Sequence, residues 1–375
     1  MQAYMLHFLC WIIFRRQVQM QDVIFVINPG STSTKYGVFS ETGAILEESV
    51  DHDVDSLKQF EKATDQFDLR YTAVMKAVER HFDPEKQCLV AVVGRGGPLK
   101  PLDGGVYRIN EKMLSDYKSC RFANHASNMG SMIAAKLAAQ WSVPSFIADP
   151  VTVDNFWDVS RISGFPGIKR KCRSHALNIR ATARRHAESI GKTLVDVNYV
   201  VAHIGGGISI CALEGGEIRD VNDGLLGEGP FSPQRAGVLP LNGVIDLCFS
   251  AKPKNEIERD FSINSGFQGY LGTSNLREVI EKMKDGDKEA DLVYRAFVFQ
   301  VAKEIGREAA ALKGNFEAVL ITGGIAYSDV FIEDLKEYIG FLGTIAVFPG
   351  EGEMQALGEA GFLALSGTVP IKEYS

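Results

Sequence analysis

VIFVINPGSTSTKYGVF, residues 23–39, is the segment that best indicates the fold of this chain. Its β-branched apolar run predicts a buried strand, Pro29 and Gly30 predict a tight turn, and a second strand is expected over residues 36–39. The turn carries hydroxyl side chains followed by Lys35, a combination that can cradle phosphate oxygens. It is not a Walker A loop, because the glycine–lysine spacing is absent and a strand follows where a helix should begin. An ordinary Ser/Thr-rich hairpin explains this segment alone equally well.

The rest of the chain alternates predicted strands and helices, which is typical of an α/β fold. We expect strands at residues 44–50, 89–93, 145–148, 199–204, 208–213, 217–221, 318–322 and 345–348, and helices at residues 67–81, 129–140, 175–190 and 291–312. AHIGGGISICALEGGEIRDV, residues 202–221, repeats the strand, glycine turn, strand, turn, strand order of the first hairpin. This weak similarity predicts two related domains that offer glycine-rich hairpins to one shared cleft, although two hairpins can also resemble each other by chance.

Composition excludes some classes of function. A chain of 375 residues is too long for one ordinary core, so two domains are expected. Hydrophobic content of 45% and charged content of 23% are typical of a globular protein in water. The net charge of −7 argues against a nucleic-acid partner bound through a basic surface. The six cysteines show no metal-like or C-x-x-C spacing, which indicates reduced thiols and a cytoplasmic location.

The first twenty residues, MQAYMLHFLCWIIFRRQVQM, differ in character from the rest. Their apolar run is too short to span a bilayer. Arg15 and Arg16 follow that run, whereas a signal peptide has its basic residues before it. We therefore expect residues 1–20 to be an N-terminal extension without a catalytic role, and no membrane partner; a membrane-proximal anchor is the alternative.

Three polar residues in the first half are expected at strand ends or glycine turns. Arg95 follows a buried strand within VVGRGG, where its guanidinium could pair with a carboxylate or a phosphate. His125 comes just before a predicted helix, and Asp149 closes the strand SFIAD, a position where carboxylates recur in magnesium sites. Each of them has a structural alternative, as an arginine in a surface turn, a hydrogen-bonded histidine and a capping aspartate.

The second half offers a comparable set of candidates. His175 opens a predicted helix after a basic run, and Arg235 follows a loop rich in glycine and proline, so both could contact a phosphoryl group. Glu353, beside a glycine turn before the last helix, is a magnesium candidate in competition with Glu351. Two glycine clusters could contact a nucleotide. The first could contact phosphate and comprises Gly205, Gly206 and Gly207, with His203 before them. The second, Gly323 and Gly324, could contact a flat ligand such as adenine. Structural or surface roles for these residues remain open.

Taken together, these motifs resemble the acetate and butyrate kinase family, within the superfamily of sugar kinases, actin and heat-shock ATPases. The resemblance runs from about residue 20 to the C-terminus. The opening pattern N-x-G-S-x-S-x-K is matched by Asn28, Gly30, Ser31, Ser33 and Lys35. The blocks NPGSTSTK, GRGGPLKPLDGG, SHALN, HIGGGIS, NDGLLGEGPFSPQRAG and LITGGIAYS are similar to butyrate kinases more than to acetate kinases.

The resemblance implies two related actin-like (ribonuclease H-like) domains around a central nucleotide cleft. Residues 21–149 plus 355–375 would form the acyl-substrate and phosphate domain, and residues 150–354 the nucleotide-binding domain. The implied reaction is reversible phosphoryl transfer from ATP to butanoate, giving butanoyl phosphate and ADP, with Mg²⁺ as the metal. The implied partners are a small-molecule carboxylate and the nucleotide, in a homodimer or a larger homo-oligomer.

The resemblance also implies a role for each candidate residue. Catalytic roles fall to Arg95, Asp149, His175 and Arg235; substrate and phosphate binding to Asn28, Ser31, Ser33, Lys35 and His125; nucleotide binding to His203, Gly205, Gly206, Gly207, Gly323, Gly324 and Ile325; and metal binding to Asn28, Asp149 and Glu353. Arg95 and Arg235 would hold the acyl carboxylate or the phosphate, and His175 would hydrogen-bond the transferring phosphoryl.

The chain departs from the acetate kinase pattern at two places. Ser174 precedes His175 where that pattern has Phe, and the three positions of the phosphate loop are all Gly where that pattern carries an Asn. These differences weaken acetate as the substrate, and Ser174 leaves the wall of the acyl pocket undefined. The alternatives are a kinase for another short or branched-chain fatty acid, such as acetate, propionate or isobutyrate, and an actin-like ATPase with a conformational output.

Overall fold

The computed structural model describes residues 20–375, which form two compact units. Unit 1 comprises the described residues up to Lys100 together with Gly105–Pro150 and Glu353–Ser375, and unit 2 comprises Pro101–Gly104 and Val151–Gly352. The expected domain boundaries, 149/150 and 354/355, differ from these by one and two residues, and the short excursion at 101–104 was not expected. The predicted extension, residues 1–20, lies outside the described residues except for Met20.

The strands are, in chain order, β1 (Gln21–Pro29), β2 (Ser33–Ser40), β3 (Gly43–Asp51), β4 (Gln87–Arg95), β5 (Val106–Arg108), β6 (Ser145–Ala148), β7 (Asn198–Ile204), β8 (Ile208–Glu214), β9 (Glu217–Val221), β10 (Ala318–Gly323), β11 (Ile345–Pro349) and β12 (Ile371–Glu373). The α-helices of the described chain are α1 (Val54–Leu57), α2 (Phe67–His81), α3 (Glu111–Lys118), α4 (Asn128–Trp141), α5 (Ala176–Ser189), α6 (Leu241–Cys248), α7 (Lys254–Ile263), α8 (Gly266–Leu271), α9 (Leu276–Lys284), α10 (Lys288–Ala311), α11 (Asp329–Ile339) and α12 (Glu353–Leu365). The sequence did not predict the strands β5 and β12 or the helices α1, α3, α6–α9 and α11.

The two sheets share the order of five strands, and the sheet of unit 1 carries β5 and β12 in addition, with β5 antiparallel to β6. Unit 1 contains a seven-stranded sheet in the order β12-β5-β6-β4-β1-β2-β3, and unit 2 a five-stranded sheet in the order β11-β10-β7-β8-β9. In each sheet an antiparallel meander of three strands is extended by strands parallel to its first strand, β4 beside β1 and β10 beside β7. This shared order explains the sequence similarity between the two hairpins and confirms the predicted α/β class.

Both faces of the unit 2 sheet are covered, which explains the continuous apolar run of β7. Because side chains alternate across a strand, Val200 and Ala202 join the core formed with α10 and α11, whereas Tyr199 and Val201 pack on the side of α5. Because β7 and β10 are adjacent and parallel, their carboxyl ends lie at the same edge of the sheet. The carboxyl ends of β1, β4 and β6 share an edge in unit 1 for the same reason. In open α/β sheets, ligands bind at such edges.

The first hairpin is longer than expected. Strand β2 begins at Ser33 rather than at residue 36, and the ladder to β1 runs as far as the pair Pro29 and Thr34. Two of the four hydroxyl residues therefore belong to a strand and not to the turn.

Among the described helices, none combines the length and the apolar content that a membrane span requires.

Candidate active site

In unit 1, three of the predicted residues meet around one carboxylate. Glu353 is the first residue of α12, and its Oε2 accepts a hydrogen bond of 2.8 Å from Asn28 Nδ2 at the end of β1. Its Oε1 lies 3.3 Å from Arg95 Nη2 at the end of β4. The Arg95 side chain is 7% exposed, so this ion pair is largely shielded from water. The arrangement joins a cation, a carboxylate and an amide that lie far apart in sequence.

Asp149 adjoins the same cluster through its backbone. Its carbonyl oxygen lies 3.4 Å from Arg95 Nη1. Its side chain is buried, and Oδ1 accepts a hydrogen bond of 2.6 Å from the Gly105 N–H. Asp149 has a φ of +37°, a backbone conformation that is unfavourable for residues other than glycine. Such residues cluster at functional sites. The residue therefore fixes the turn after β6 beside Arg95.

The hairpin between β1 and β2 supplies exposed polar groups to the same sheet edge. Ser31 is exposed, Ser33 is half-buried, and the Gly30 N–H donates to the Ser33 carbonyl at 2.8 Å. Lys35 pairs with Asn28 in the ladder, so the two side chains lie on the same face of the sheet. Lys35 is exposed, which leaves its ammonium accessible to an anion.

His125 lies before α4, near Arg95. Its Nδ1 is 2.6 Å from Ser127 Oγ and accepts a hydrogen bond of 3.2 Å from the Ser127 N–H. Desolvation and the positive charge of Arg95 lower the pKa of His125, so the ring is neutral at pH 7. Ser127 occupies the N-cap position of α4, but its hydroxyl binds the histidine instead of capping the helix.

In unit 2, two histidines form a stacked pair. The rings of His175 and His203 are parallel to within 15°, with their centroids 4.0 Å apart. His175 Nδ1 lies 2.9 Å from Ser209 Oγ, and His203 Nδ1 lies 2.8 Å from Asn178 Oδ1. These contacts fix the orientation of both rings at the start of α5, beside the glycine turn after β7. Ser209 and Asn178 were not predicted as site residues.

The glycine turn packs against His175 and Arg235. A Cβ atom on Gly207 would lie 2.5 Å from Arg235 Nη1 and 3.2 Å from His175 Cε1, so a side chain at this position would collide with both. The Gly205 N–H donates to the Gly207 carbonyl at 3.0 Å, within the turn itself. Ser232 Oγ donates to the Gly206 carbonyl at 2.8 Å and ties the loop before Arg235 to the turn.

The guanidinium of Arg235 is oriented by the backbone. Its Nη1 donates to the Gly224 carbonyl. The backbone N–H of Arg235 donates to Ser232 Oγ at 3.1 Å. Burial lowers the pKa of Arg235, and the charge of Asp223 opposes that shift. The group remains a cation at pH 7, because the ordinary pKa of arginine is above 12.

The second glycine cluster follows β10. Gly323 has a φ of +94°, and a Cβ there would lie 2.3 Å from the Ile204 carbonyl oxygen, so only glycine allows this close approach of two strands. Gly324 and Ile325 begin a 3₁₀ helix, Gly324–Tyr327. They line a pocket of about 450 Å³ whose other wall comprises residues 274–277. Sequence reasoning missed this wall, because α9 was not expected.

The donor set is compatible with a Mg²⁺ ion that is bound partly by water and substrate phosphate, and not with an all-protein metal cage. Among residues 20–375, no group of three or more His, Cys, Asp or Glu side chains is placed to hold a metal ion. Asn28, Asp149 and Glu353 provide hard oxygen atoms around one sheet edge. Mg²⁺ is usually bound by one or two carboxylates together with water and substrate phosphates, so these three residues fit that mode of binding.

Comparison with known structures identifies the class of the fold. The acetate kinase of Porphyromonas gingivalis has a TM-score of 0.75 at 19% identity, covering 91% of this chain and 99% of that chain. A propionate kinase from Francisella tularensis has a TM-score of 0.70 at 18% identity, covering 90% and 98%. These likenesses confirm the predicted actin-like fold.

Sequence comparison then identifies the family. The acetokinase family model matches residues 167–366. A curated relative from Clostridium botulinum (strain Alaska E43), named "Probable butyrate kinase", is 42% identical over 357 residues, which cover 95% of this chain and 100% of the relative. The chain belongs to the acetokinase family, as the resemblance of its motifs implied.

Proposed function

We propose that this protein is a butyrate kinase, which transfers the γ-phosphoryl of ATP reversibly to butanoate and gives butanoyl phosphate and ADP. The observation that carries this proposal is the 42% identity to a relative named as a butyrate kinase, over 95% of the chain. The site supports the proposal, because each unit presents a partly buried arginine beside a glycine-rich or hydroxyl-rich turn.

The reaction requires two anions to approach each other, and cations reduce this repulsion. Arg95 and Arg235 would hold the acyl carboxylate or the phosphate and stabilise the charge of the transferring phosphoryl. His175, whose ring is held by Ser209 and His203, would donate a hydrogen bond to that phosphoryl group. The carboxylate oxygen of the substrate is already a nucleophile, so the mechanism needs no strong general base.

The hairpin of unit 1 would bind the phosphoryl group and its metal. Asn28, Ser31 and Ser33 would line this site, Lys35 would add a positive charge on the face of Asn28, and His125 would play a smaller role beside Arg95. Mg²⁺, held by Asn28, Asp149 and Glu353, would neutralise phosphate charge when bound. In the present geometry Glu353 already pairs with Arg95, so a bound anion would compete with this carboxylate for the guanidinium.

Unit 2 would bind the nucleotide. The turn of Gly205, Gly206 and Gly207 after His203 would contact the phosphate chain, and Gly323, Gly324 and Ile325 would contact adenosine. The pocket of about 450 Å³ beside the last two of these residues supports this role, because it is large enough for a nucleobase and part of a ribose.

A hydroxamate assay across acetate, propionate, butanoate and isobutyrate tests the substrate. We expect kcat/KM to be highest for butanoate. A preference for one of the other three acids would show that butanoate is not the main substrate, and the protein would still be a carboxylate kinase. ATP hydrolysis that is independent of all four acids would instead support an actin-like ATPase with a conformational output.

We further propose a cytoplasmic homodimer or larger homo-oligomer, with no nucleic-acid or membrane partner. Support for an oligomer comes from α6 and the residue after it, where Leu241, Ile245 and Phe249 are 76%, 52% and 89% exposed. Exposed apolar surface of this kind often marks a protein interface. Sedimentation of the wild type against an Ile245→Glu variant tests the proposal: we expect the variant to dissociate, and a monomeric wild type would contradict it.

A further inference from the structure

Arg70 is a buried cation that the proposed chemistry does not use. It lies in the first turn of α2 and has no exposed surface. Its Nη1 donates to the carbonyl oxygens of Gly30 and Ser33 at 2.9 and 2.8 Å, and its Nη2 donates to that of Ser31 at 2.8 Å. One side chain thus binds three carbonyl groups of the hairpin that is proposed to bind phosphate.

We propose that Arg70 is a positioning residue for phosphoryl transfer, which orients the backbone of residues 30–34 so that its amide groups face the phosphate. The proposal rests on the proposed function, since it assigns to the hairpin the same phosphate ligand.

The direction of the peptide groups supports this inference. The remaining carbonyl of the turn, that of Thr32, accepts a hydrogen bond of 2.8 Å from the His52 N–H. All four carbonyls from Gly30 to Ser33 are therefore bound by protein donors. In a planar trans peptide the N–H of the next residue points opposite to the carbonyl. The N–H groups of Ser31 and Thr32 consequently point away from Arg70, and both residues are exposed. Amides arranged in this way form an anion-binding concavity.

The side chain of Arg70 suits this role better than lysine would. Its remaining donors are also engaged, since Nε and Nη2 both donate to Gln66 Oε1 at 3.0 and 2.9 Å. The planar guanidinium can serve several acceptors at fixed angles, whereas an ammonium is a single flexible point charge. Gln66 is neutral, so the positive charge behind the hairpin is not cancelled by this partner. Burial lowers the pKa of Arg70 to about 10, and the group therefore stays charged at pH 7.

The test compares Arg70→Lys with wild type, and Arg121→Lys serves as the matched control, since Arg121 is an exposed arginine of the same unit that pairs with Asp116. We measure kcat and KM for acyl phosphate formation, the melting temperature, and the affinity for inorganic phosphate by calorimetry. We expect Arg70→Lys to lower kcat/KM about 100-fold, because a displacement of about 1 Å near a reacting centre costs that much in rate, and to weaken phosphate binding. A folded variant with wild-type kcat/KM and phosphate affinity would overturn the proposal.

A measurement on the wild type covers the case in which Arg70→Lys does not fold. We expect the amide signals of Ser31 and Thr32 to shift in ¹H–¹⁵N NMR spectra when inorganic phosphate is added, because the proposal directs these two N–H groups at the phosphate. Unchanged signals of both amides at saturating phosphate would overturn the proposal. Phosphate binding is measured without turnover, so the two proposals can fail separately. A wild type that binds phosphate but makes no acyl phosphate would refute the proposed function. The phosphate affinities of Arg70→Lys and wild type would then still test the role of Arg70.

Discussion

The packing of Gly207 against two proposed catalytic side chains leads to a sharp prediction for Gly207→Ala. The new Cβ would lie 2.5 Å from Arg235 Nη1. Because non-bonded heavy atoms are best separated by roughly 3.5–4.0 Å, the guanidinium must withdraw by about 1 Å or more. His175 Cε1, at 3.2 Å, must shift by a few tenths of an ångström.

The expected loss is large in activity and small in stability. A displacement of about 1 Å at a charge-stabilising group can cost about 100-fold in rate, which corresponds to about 2.7 kcal/mol in the activation barrier. The atoms that must move are the far ends of side chains, and Gly207 is not in the left-handed region. We therefore expect the free energy of unfolding to change by about 1 kcal/mol or less.

The assay is steady-state hydroxamate formation with butanoate and ATP, together with urea unfolding. Gly306→Ala is the matched control, because a Cβ at Gly306 in α10 meets no atom within 4 Å. We expect wild-type kcat in the control and about 1% of it in Gly207→Ala. Wild-type kcat in Gly207→Ala would refute the assignment of Arg235 and His175 to the transferring phosphoryl.

Three further predictions concern charged groups. Arg95→Ala should cut turnover about a hundredfold or more in the hydroxamate assay, because it removes a preorganised cation; near-wild-type turnover would contradict its role. Glu353→Gln should raise the Mg²⁺ concentration needed for half-maximal rate, since a carboxylate is lost from the proposed metal site, and an unchanged Mg²⁺ titration would count against that site. Glu308→Gln should raise the melting temperature at pH 8 and have less effect at pH 5. Burial, with the charges of Asp220 and Glu304, raises the pKa of Glu308 in the folded protein, so its contribution to stability is present below the unfolded pKa and is lost as pH rises. Equal effects at both pH values would exclude this cause.

The sequence predicted the regular elements well where apolar periodicity is strong. Helix α2 occupies residues 67–81 as expected, and β6 occupies residues 145–148. The start of β2 was misjudged, because a run of Ser and Thr is typical of a turn. Its extended backbone depends on Arg70 and His52, which bind the hairpin from elsewhere in the chain.

The contacts within the site were harder to predict. Asn28 and Glu353 are 325 residues apart, and no local pattern reports on such a pair. Arg70 did leave a signal, because it lies four residues before the buried Val74 and therefore on the apolar face of its helix. A charged residue on a buried face requires hydrogen-bond partners, and this reasoning would have connected Arg70 with a polar segment.

Above all, we propose that this protein transfers the γ-phosphoryl group of ATP to a carboxylate. The most direct test follows ADP and acyl phosphate together by ³¹P NMR, with Mg²⁺ and ATP, in the presence and absence of butanoate. We expect one butanoyl phosphate for each ADP, and no ADP above background without butanoate. ADP release at the same rate without butanoate, or without an acyl phosphate signal, would contradict it.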